Sequence, residues 1–495
     1  MLRCSDNLPT TLYTAEQVRA LDACVIEQHG VPGIQLMLKA SRALLSTLEI
    51  QWPDCRELQV FCGKGNNAGD AYLLAALAIE RDYKVQLWQV GDVPQRGDAL
   101  AARERAIAAG VSVKAWQGEQ PTKGVIVDGL LGTGLQGEVR PRFADAIGAI
   151  NRSGLPVLAV DVPSGLCSDS GQILGDAVHA SVTVCFIGLK RGLFTGAAAD
   201  CVGHLYFSDL EAPSTAYQNQ VPAARHLRLD DCLSALPARA RSAHKGHFGH
   251  VLIVGGDHGM GGAIMLAAAA AARCGAGLIS CATRGEHTTA LLANRPEVMV
   301  HAVEAPAQLE PLLARASVVV IGPGLGQNDW GRMLLTRTLT FKKPIVLDAD
   351  ALNLLGPKPT LARNVPTVIT PHPGEAGRLL DVASTTVQRD RFAAAQDLHL
   401  QTGATVLLKG AGTVIADSQG IAVCNYGNPG MASGGMGDVL SGVIGALLAQ
   451  QLSPGEATCL AACAHGAAAD LAAQNGERGL LASDVIDHLR NVLNP

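Results

Sequence analysis

Residues 58–81 read LQVFCGKGNNAGDAYLLAALAIER. A short apolar run gives way to glycine and asparagine at 63–70, and an Ala/Leu-rich stretch long enough for several helical turns follows. The pattern predicts a strand over 58–61, a tight turn, and a helix over 70–81. Similar apolar runs alternate with helical stretches along the chain, the pattern of repeated βαβ units around a parallel sheet. Further strands are expected at 84–90, 125–127, 157–161 and 182–187. A second series is expected at 250–255, 317–321, 344–348, 366–370 and 404–408. The chain then turns helical, with Ser483 as the expected N-cap of a helix over 484–492.

Between the two series, residues 211–240 lose the alternation and carry Pro213, Pro222 and Pro237 as breakers. We expect the domain boundary there, dividing 1–222 from 223–495. A chain of 495 residues exceeds the roughly 250–300 over which one core keeps growing. Hydrophobic residues form 48% of the chain and aromatics only 4%, so Ala, Val, Leu and Ile must build the cores. The net charge of −5 and the lack of any long Lys/Arg run leave no basic footprint for a nucleic acid. The 13 cysteines are odd in number and form no Cys-x-x-Cys pair, which argues against a disulfide framework or a zinc site. Cys459 and Cys463 read as buried thiols. Arg3 and Asp6 interrupt the start of the chain and no run of about 18 apolar residues exists, so a cytoplasmic protein without membrane contact is expected.

The loop 63–70 opens onto a helix N-terminus, whose free N–H groups suit an anion such as a pyrophosphate. On the glycines alone, a tight structural turn explains it equally well. Two more strand ends shift the balance. The run VDGLLGTG at 127–134 places Asp128 where a strand stops, and DVPSG at 161–165 does the same with Asp161 and Ser164. C-terminal strand ends share one edge of a parallel sheet, where ligands of open α/β folds bind. Asn67, Asp128 and Ser164 offer oxygens to a hard cation; capping or turn-making is the alternative for the two aspartates.

In the second half, NPGMASGGMGDVLSG at 428–442 sets a glycine cluster at the mouth of an apolar helix. Backbone donors and a helix dipole there suit a transferring phosphoryl group. Asp438 can take the proton of an attacking hydroxyl, and a mere helix cap would not need five surrounding glycines. Lys409-Gly410-Ala411-Gly412-Thr413 offers a lysine and backbone donors to nucleotide phosphates, without the spacing of a Walker loop. Residues 322–326, 348–353 and 370–375 close three further strands. His372, between two prolines, is expected to contact a ligand, with capping as the alternative.

These motifs resemble a known family. The segments 66–70, 128–134 and 161–165 look like the epimerase domain of NAD(P)H-hydrate repair enzymes, a likeness spanning about residues 10–210. The C-terminal motifs, together with Lys245-Gly246-x-x-Gly249-His250 and Gly255-Gly256, look like the ADP-dependent dehydratase domain of the same enzymes over about residues 225–495. The resemblance implies an α/β protein with a Rossmann-like three-layer domain followed by a ribokinase-like domain. It implies an isomerase joined to a lyase: R and S hydrates of NADH and NADPH are interconverted, and the S hydrate is dehydrated at the expense of ADP, giving NAD(P)H, AMP and phosphate.

By motif position, Asn66, Asn67, Ala68, Gly69 and Asp70, then Gly132, Thr133, Gly134, Leu135, Gln136, Gly137 and Glu138, with Asp161, would contact the hydrate in the first domain. Asn67, Asp128 and Ser164 would bind potassium, and Asp161 would be the acid/base group. In the second domain Ala263, Gly326, His372 and Asp438 would face the hydrate. Lys409, Gly410, Ala411, Gly412, Thr413 and Gly437 would hold ADP, with magnesium assisting, and a homo-oligomer is expected. Ala68 and Ala71 replace usual glycines, Lys39-Ala40-Ser41 replaces a more acidic stretch, and Met436 replaces a frequent threonine. The alternative is a small-molecule kinase of the ribokinase-like fold with a noncatalytic N-terminal nucleotide-binding module.

Overall fold

Apolar strands that are buried on both faces need helices on both faces, and the first half of the chain meets that need. The computed structural model describes residues 2–4, 7–361 and 365–494, which divide into the units Met1–His226 and Leu227–Pro495. In the first unit the sheet runs Leu2–Cys4, His204–Ser208, Val182–Phe186, Val157–Val160, Val125–Gly129, Glu57–Cys62, Lys84–Gln89, Ser112–Ala115. Leu2–Cys4 is antiparallel and the rest are parallel. Alternate residues of each strand feed two cores. Val60, Val127 and Leu158 pack under the helices Gly33–Gln51 and Asn66–Ile79, while Phe61, Ile126 and Ala159 pack under Pro141–Arg152.

Strand order reverses between Glu57–Cys62 and Val125–Gly129, so the loops after these two strands part around a crevice. The helix expected over 70–81 begins earlier, at Asn66, with Gly65 as its N-cap. Gly69 in its first turn lets the helix Gly33–Gln51 approach closely, because a Cβ there would lie 2.5 Å from Met37 Sδ. The segment 211–240 is not wholly irregular. Ala224–His226 pairs antiparallel with Thr11–Tyr13, which also pairs in parallel with Leu189–Lys190.

In the second unit parallel strands run Met299–Ala302, Leu278–Thr283, His250–Val254, Val318–Ile321, Ile345–Leu347, Thr367–Ile369, Thr405–Leu408. Thr413–Asp417 and Gly420–Cys424 extend the sheet antiparallel. Order reverses here between His250–Val254 and Val318–Ile321. The last helix, Ala482–Val492, starts one residue before Ser483. The Asp484 carboxylate accepts the Leu481 N–H at 2.9 Å, so Ser483 is not the cap. No helix among the described residues is long and apolar enough to cross a membrane.

The helix Met436–Ala449 is almost entirely buried and lies against the helix Gly261–Arg273. Gly442 lets the two backbones meet, since a Cβ there would collide with the Ala267 carbonyl, and Gly445 likewise makes room for Val320. Those two contacts fix where residues 436–438 emerge at the strand ends. Gly442→Ala must push the helices apart, and overpacking of this kind costs about 1–3 kcal/mol. Urea unfolding should therefore show a lower midpoint with an unchanged slope.

Candidate active sites

The crevice of the first unit holds a cavity of ≈ 730 Å³. All the residues expected from 66–70 and 132–138 line it except Gly69 and Gly137, and Asp161 joins them. Of the two alanines that replace glycine, only Ala68 faces the cavity. Ala71 packs against the strand at Gly129, where an added Cβ would sit 2.6 Å from its methyl. Ala40 also lines the cavity, and Ser41 Oγ lies 2.8 Å from the carbonyls of Met37 and Asp70, tying the helix Gly33–Gln51 to the helix Asn66–Ile79. Lys39 turns away to the Leu210 carbonyl at 3.1 Å and to Glu211.

Asn67, Asp128 and Ser164 lie on a helix start, a strand end and a loop. Asn67 Nδ2 donates to the Val160 carbonyl at 2.6 Å, leaving Oδ1 in the space that a side chain on Gly132 would fill. Ser164 donates its N–H to Asp128 Oδ2 at 2.8 Å and its hydroxyl to Oδ1 at 2.6 Å, while Leu131 N–H donates to Ser164 Oγ at 2.8 Å. Burial pushes the Asp128 carboxyl up to about 6 against the pull of these donors.

Asp161 sits just past its strand at φ 66°, a left-handed conformation that only glycine adopts freely. Its Oδ1 accepts the Phe186 N–H at 3.0 Å and pairs with the buried ammonium of Lys190. Lys190 and Asp22, both lining the cavity, are residues that motif reading missed. Burial, opposed by Lys190, pushes Asp22 up to about 6, and burial followed by the charges of Asp161 and Asp22 raises Asp70 well above the carboxylate range.

In the second unit Asp438 lies in the first turn of its helix, after Gly435 at φ 91°. Burial first, then the Asp348 charge, pushes its carboxyl up to about 7, with Lys409 opposing. That value suits a base working near neutrality. Met436 turns its side chain into the core, so the exchange for threonine leaves only backbone at the mouth. Lys409 Nζ donates to Asp348 Oδ1 at 2.7 Å and lies 3.8 Å from Glu375 Oε2. Asp348 Oδ2 is buried with no hydrogen-bond partner. A Cβ on Gly437 would come 3.2 Å from Lys409 Nζ, so a side chain there would crowd the ammonium.

The loop carrying Gly410, Ala411 and Gly412 links two strands and is held from below by Arg391. That guanidinium donates to the carbonyls of Leu408 at 3.1 Å, Lys409 at 3.2 Å and Gly412 at 3.4 Å. Burial lowers Arg391 to about 10, and its role too escaped motif reading. Thr413 opens the following strand, its hydroxyl donating to the Gly410 carbonyl at 3.1 Å.

His372 caps the helix Pro373–Leu380, Nδ1 accepting the N–H groups of Gly374 at 3.0 Å and Glu375 at 3.3 Å, so the capping alternative is present. The ring remains half exposed. Gly326 N–H donates to Asp350 Oδ2 at 2.9 Å, and Ala263 lies in the first turn of the helix Gly261–Arg273, beside Gly324. The charge of Asp350 reaches Asp438, and the charges of Lys409 and Asp348 reach both Asp438 and His372, so these groups lie near one another.

Comparison with known proteins adds to this geometry. The family model for NAD(P)H-hydrate dehydratase matches residues 251–491, and that for the YjeF-related protein N-terminus matches 33–192. A bifunctional NAD(P)H-hydrate repair enzyme from Coxiella burnetii is 47% identical over 490 residues, covering 98% of this chain and 100% of that protein. The chain belongs to the bifunctional NAD(P)H-hydrate repair enzyme family. Its relative of the same description in Escherichia coli K12 is 43% identical over 493 residues, covering 99% and 95% of the two chains. A ribokinase-like superfamily protein from Enterococcus faecalis V583 aligns in structure with a TM-score of 0.51 at 29% identity, covering 55% of this chain and 96% of its own.

Removing Lys409 strands two carboxylates, Asp348 and Glu375, whose side chains are 1% and 5% exposed. Lys409→Met is expected to destabilise the second unit by about 3–5 kcal/mol, the cost of breaking a buried pair from one side. Denaturant unfolding followed with and without the change measures it.

Proposed function

We propose that the first unit interconverts the R and S hydrates of NADH and NADPH. The second dehydrates the S hydrate at the expense of ADP, releasing NAD(P)H, AMP and phosphate. The observation that carries this reading is Asp438 at the mouth of a glycine-rich helix, with a carboxyl poised near neutrality. Relatives that match along both units favour it over a small-molecule kinase.

In the second unit Asp438 takes the proton of the hydrate's hydroxyl as its oxygen attacks the terminal phosphoryl of ADP, and the bond from that phosphorus to AMP breaks. The backbone N–H groups at 434–437 face the charge that develops. The ring nitrogen's lone pair then expels phosphate, and the neighbouring carbon gives up a proton to restore the dihydronicotinamide. Gly326 and His372 border the hydrate, while Lys409 and the loop 410–413 with Gly437 border the nucleotide. Magnesium, an oxygen-seeking cation, would find a donor in Asp348 Oδ2 and would spread the charge of the ADP phosphates.

In the first unit Asp161 exchanges protons at the hydroxyl on the hydrated ring carbon. The residues 66–70 and 132–138 that line the cavity cradle the dinucleotide. Potassium would be held by Asn67, Asp128 and Ser164, an all-oxygen set that suits a hard cation, and it would offset the buried Asp128 charge.

Asp438→Asn keeps the shape but loses the base. Turnover of the S hydrate with ADP should fall by roughly 10²- to 10⁴-fold while the melting temperature stays put; near-normal turnover would remove Asp438 from its role. Asp161→Asn should abolish conversion of the R hydrate while dehydration of the S hydrate continues.

A further inference from the structure

We propose that Lys190 is the positioning residue of the epimerisation site: its ammonium engages one oxygen of Asp161 and leaves the other for the hydroxyl exchanged on the hydrate. The inference rests on the reading of Asp161 as the acid/base group.

Lys190 belongs to the two-residue strand Leu189–Lys190, whose backbone is registered against Leu12 and Tyr13. Its side chain is 1% exposed, yet it lines the cavity beside Asp161. A lysine in such a place needs an explanation, because a buried ion pair can often be replaced by apolar residues of similar volume without loss of stability. The contacts of the ammonium supply one. Besides Asp161 Oδ1 it reaches the Phe186 carbonyl at 3.0 Å and Cys185 Sγ at 3.5 Å. Oδ1 also accepts the Phe186 N–H at 3.0 Å, whereas Oδ2 accepts no hydrogen bond from the described residues. The φ of 66° at Asp161 limits its backbone freedom. One oxygen is therefore fixed from two directions and the other remains available at the cavity wall.

Other titratable groups face this pair from neighbouring elements: Asp22 from the helix Ala15–Glu27, Asp70 from the helix Asn66–Ile79, and Cys185 from the strand Val182–Phe186. Burial works against the charge of Lys190, but the charge and hydrogen bond of Asp161, joined by the charges of Cys185 and Asp22, together outweigh it and raise the ammonium. The proton that departs with the hydroxyl comes from Asp70, which lines the same cavity as Asp161 and whose carboxyl burial raises. The carbon–oxygen bond breaks, the ring nitrogen's lone pair forms a C=N bond, and the hydroxyl leaves as water with the Asp70 proton. Water adds to the opposite face, its proton passes to Asp161 Oδ2, and the C=N electron pair returns to nitrogen. Solvent in the cavity carries the proton back to Asp70, and nothing is oxidised or reduced.

The test is the exchange of R and S hydrates by the full chain with ADP omitted, followed by chromatography. Lys190→Met should lower kcat on the order of 10²-fold with KM little changed. The double change with Asp161→Asn should be no slower than Asp161→Asn alone, because the two residues act as one unit. Dehydration of the S hydrate with ADP by the same preparation should be unchanged, reporting an intact second unit, and a melting curve like that of the wild type reports a folded first unit. If the methionine variant melts below the assay temperature, Lys190→Gln, which keeps a donor to Asp161 without the charge, carries the same expectation. Wild-type kcat in the Lys190 variants beside an inactive Asp161→Asn would overturn the proposal. An active Asp161→Asn would instead overturn the acid/base reading on which it rests.

Discussion

A buried ammonium group keeps its charge where a carboxylate meets it, and both units place such a pair at the C-terminal end of a parallel strand. Lys190 meets Asp161 in the first, and Lys409 meets Asp348 in the second. Beside each pair the backbone leaves its ordinary range, at Asp161 itself with φ 66° and at Ala349, next to Asp348, with φ 47°. Non-glycine residues held in this way cost on the order of 1–3 kcal/mol each and persist where the surroundings over-determine them. The surroundings here are the pairs: released from its lysine, either aspartate would carry an uncompensated charge into a low-dielectric interior.

The chemistry then follows from what stands opposite each pair. In the first unit two further carboxyls line the same cavity, Asp22, which burial pushes up to about 6, and Asp70, which burial raises well above its ordinary value. In the second, the partner is the Asp438 carboxyl, pushed up to about 7 in the first turn of a helix that opens on glycine. Glycine serves a different purpose at each place. Gly132 makes room for Asn67, Gly437 keeps Lys409 Nζ uncrowded, and Gly442 brings the helix close enough for Asp438 to reach the strand ends.

Much of this was legible in residue order. The apolar runs gave the strand series because central parallel strands are buried on both faces, and the polar-glycine loops marked the ligand edge because that is where such strands end. Asp161, Asp438 and the loop 409–413 were found in this way. Lys190 was not, since a two-residue strand has no periodicity, although a lone lysine closing the apolar run VTVCFIGLK was a signal. Arg391 gave none: an arginine among polar residues at a helix start reads as exposed until the fold carries it beneath the loop it supports. The helix starts at Asn66 and Ala482 were misplaced because a glycine N-cap and a cap contributed by Asp484 are set by backbone contacts that neighbouring residue types do not announce.

The central claim is that two chemically distinct sites on one chain perform consecutive steps on one substrate. A mixture of R and S NADH hydrates given to the full chain with ADP and magnesium tests it directly, through the return of dihydronicotinamide absorbance and the release of AMP. The account requires the whole mixture to be converted, with one AMP and one phosphate for each NADH. A stable phosphorylated hydrate, or a halt once the S form is spent, would contradict it.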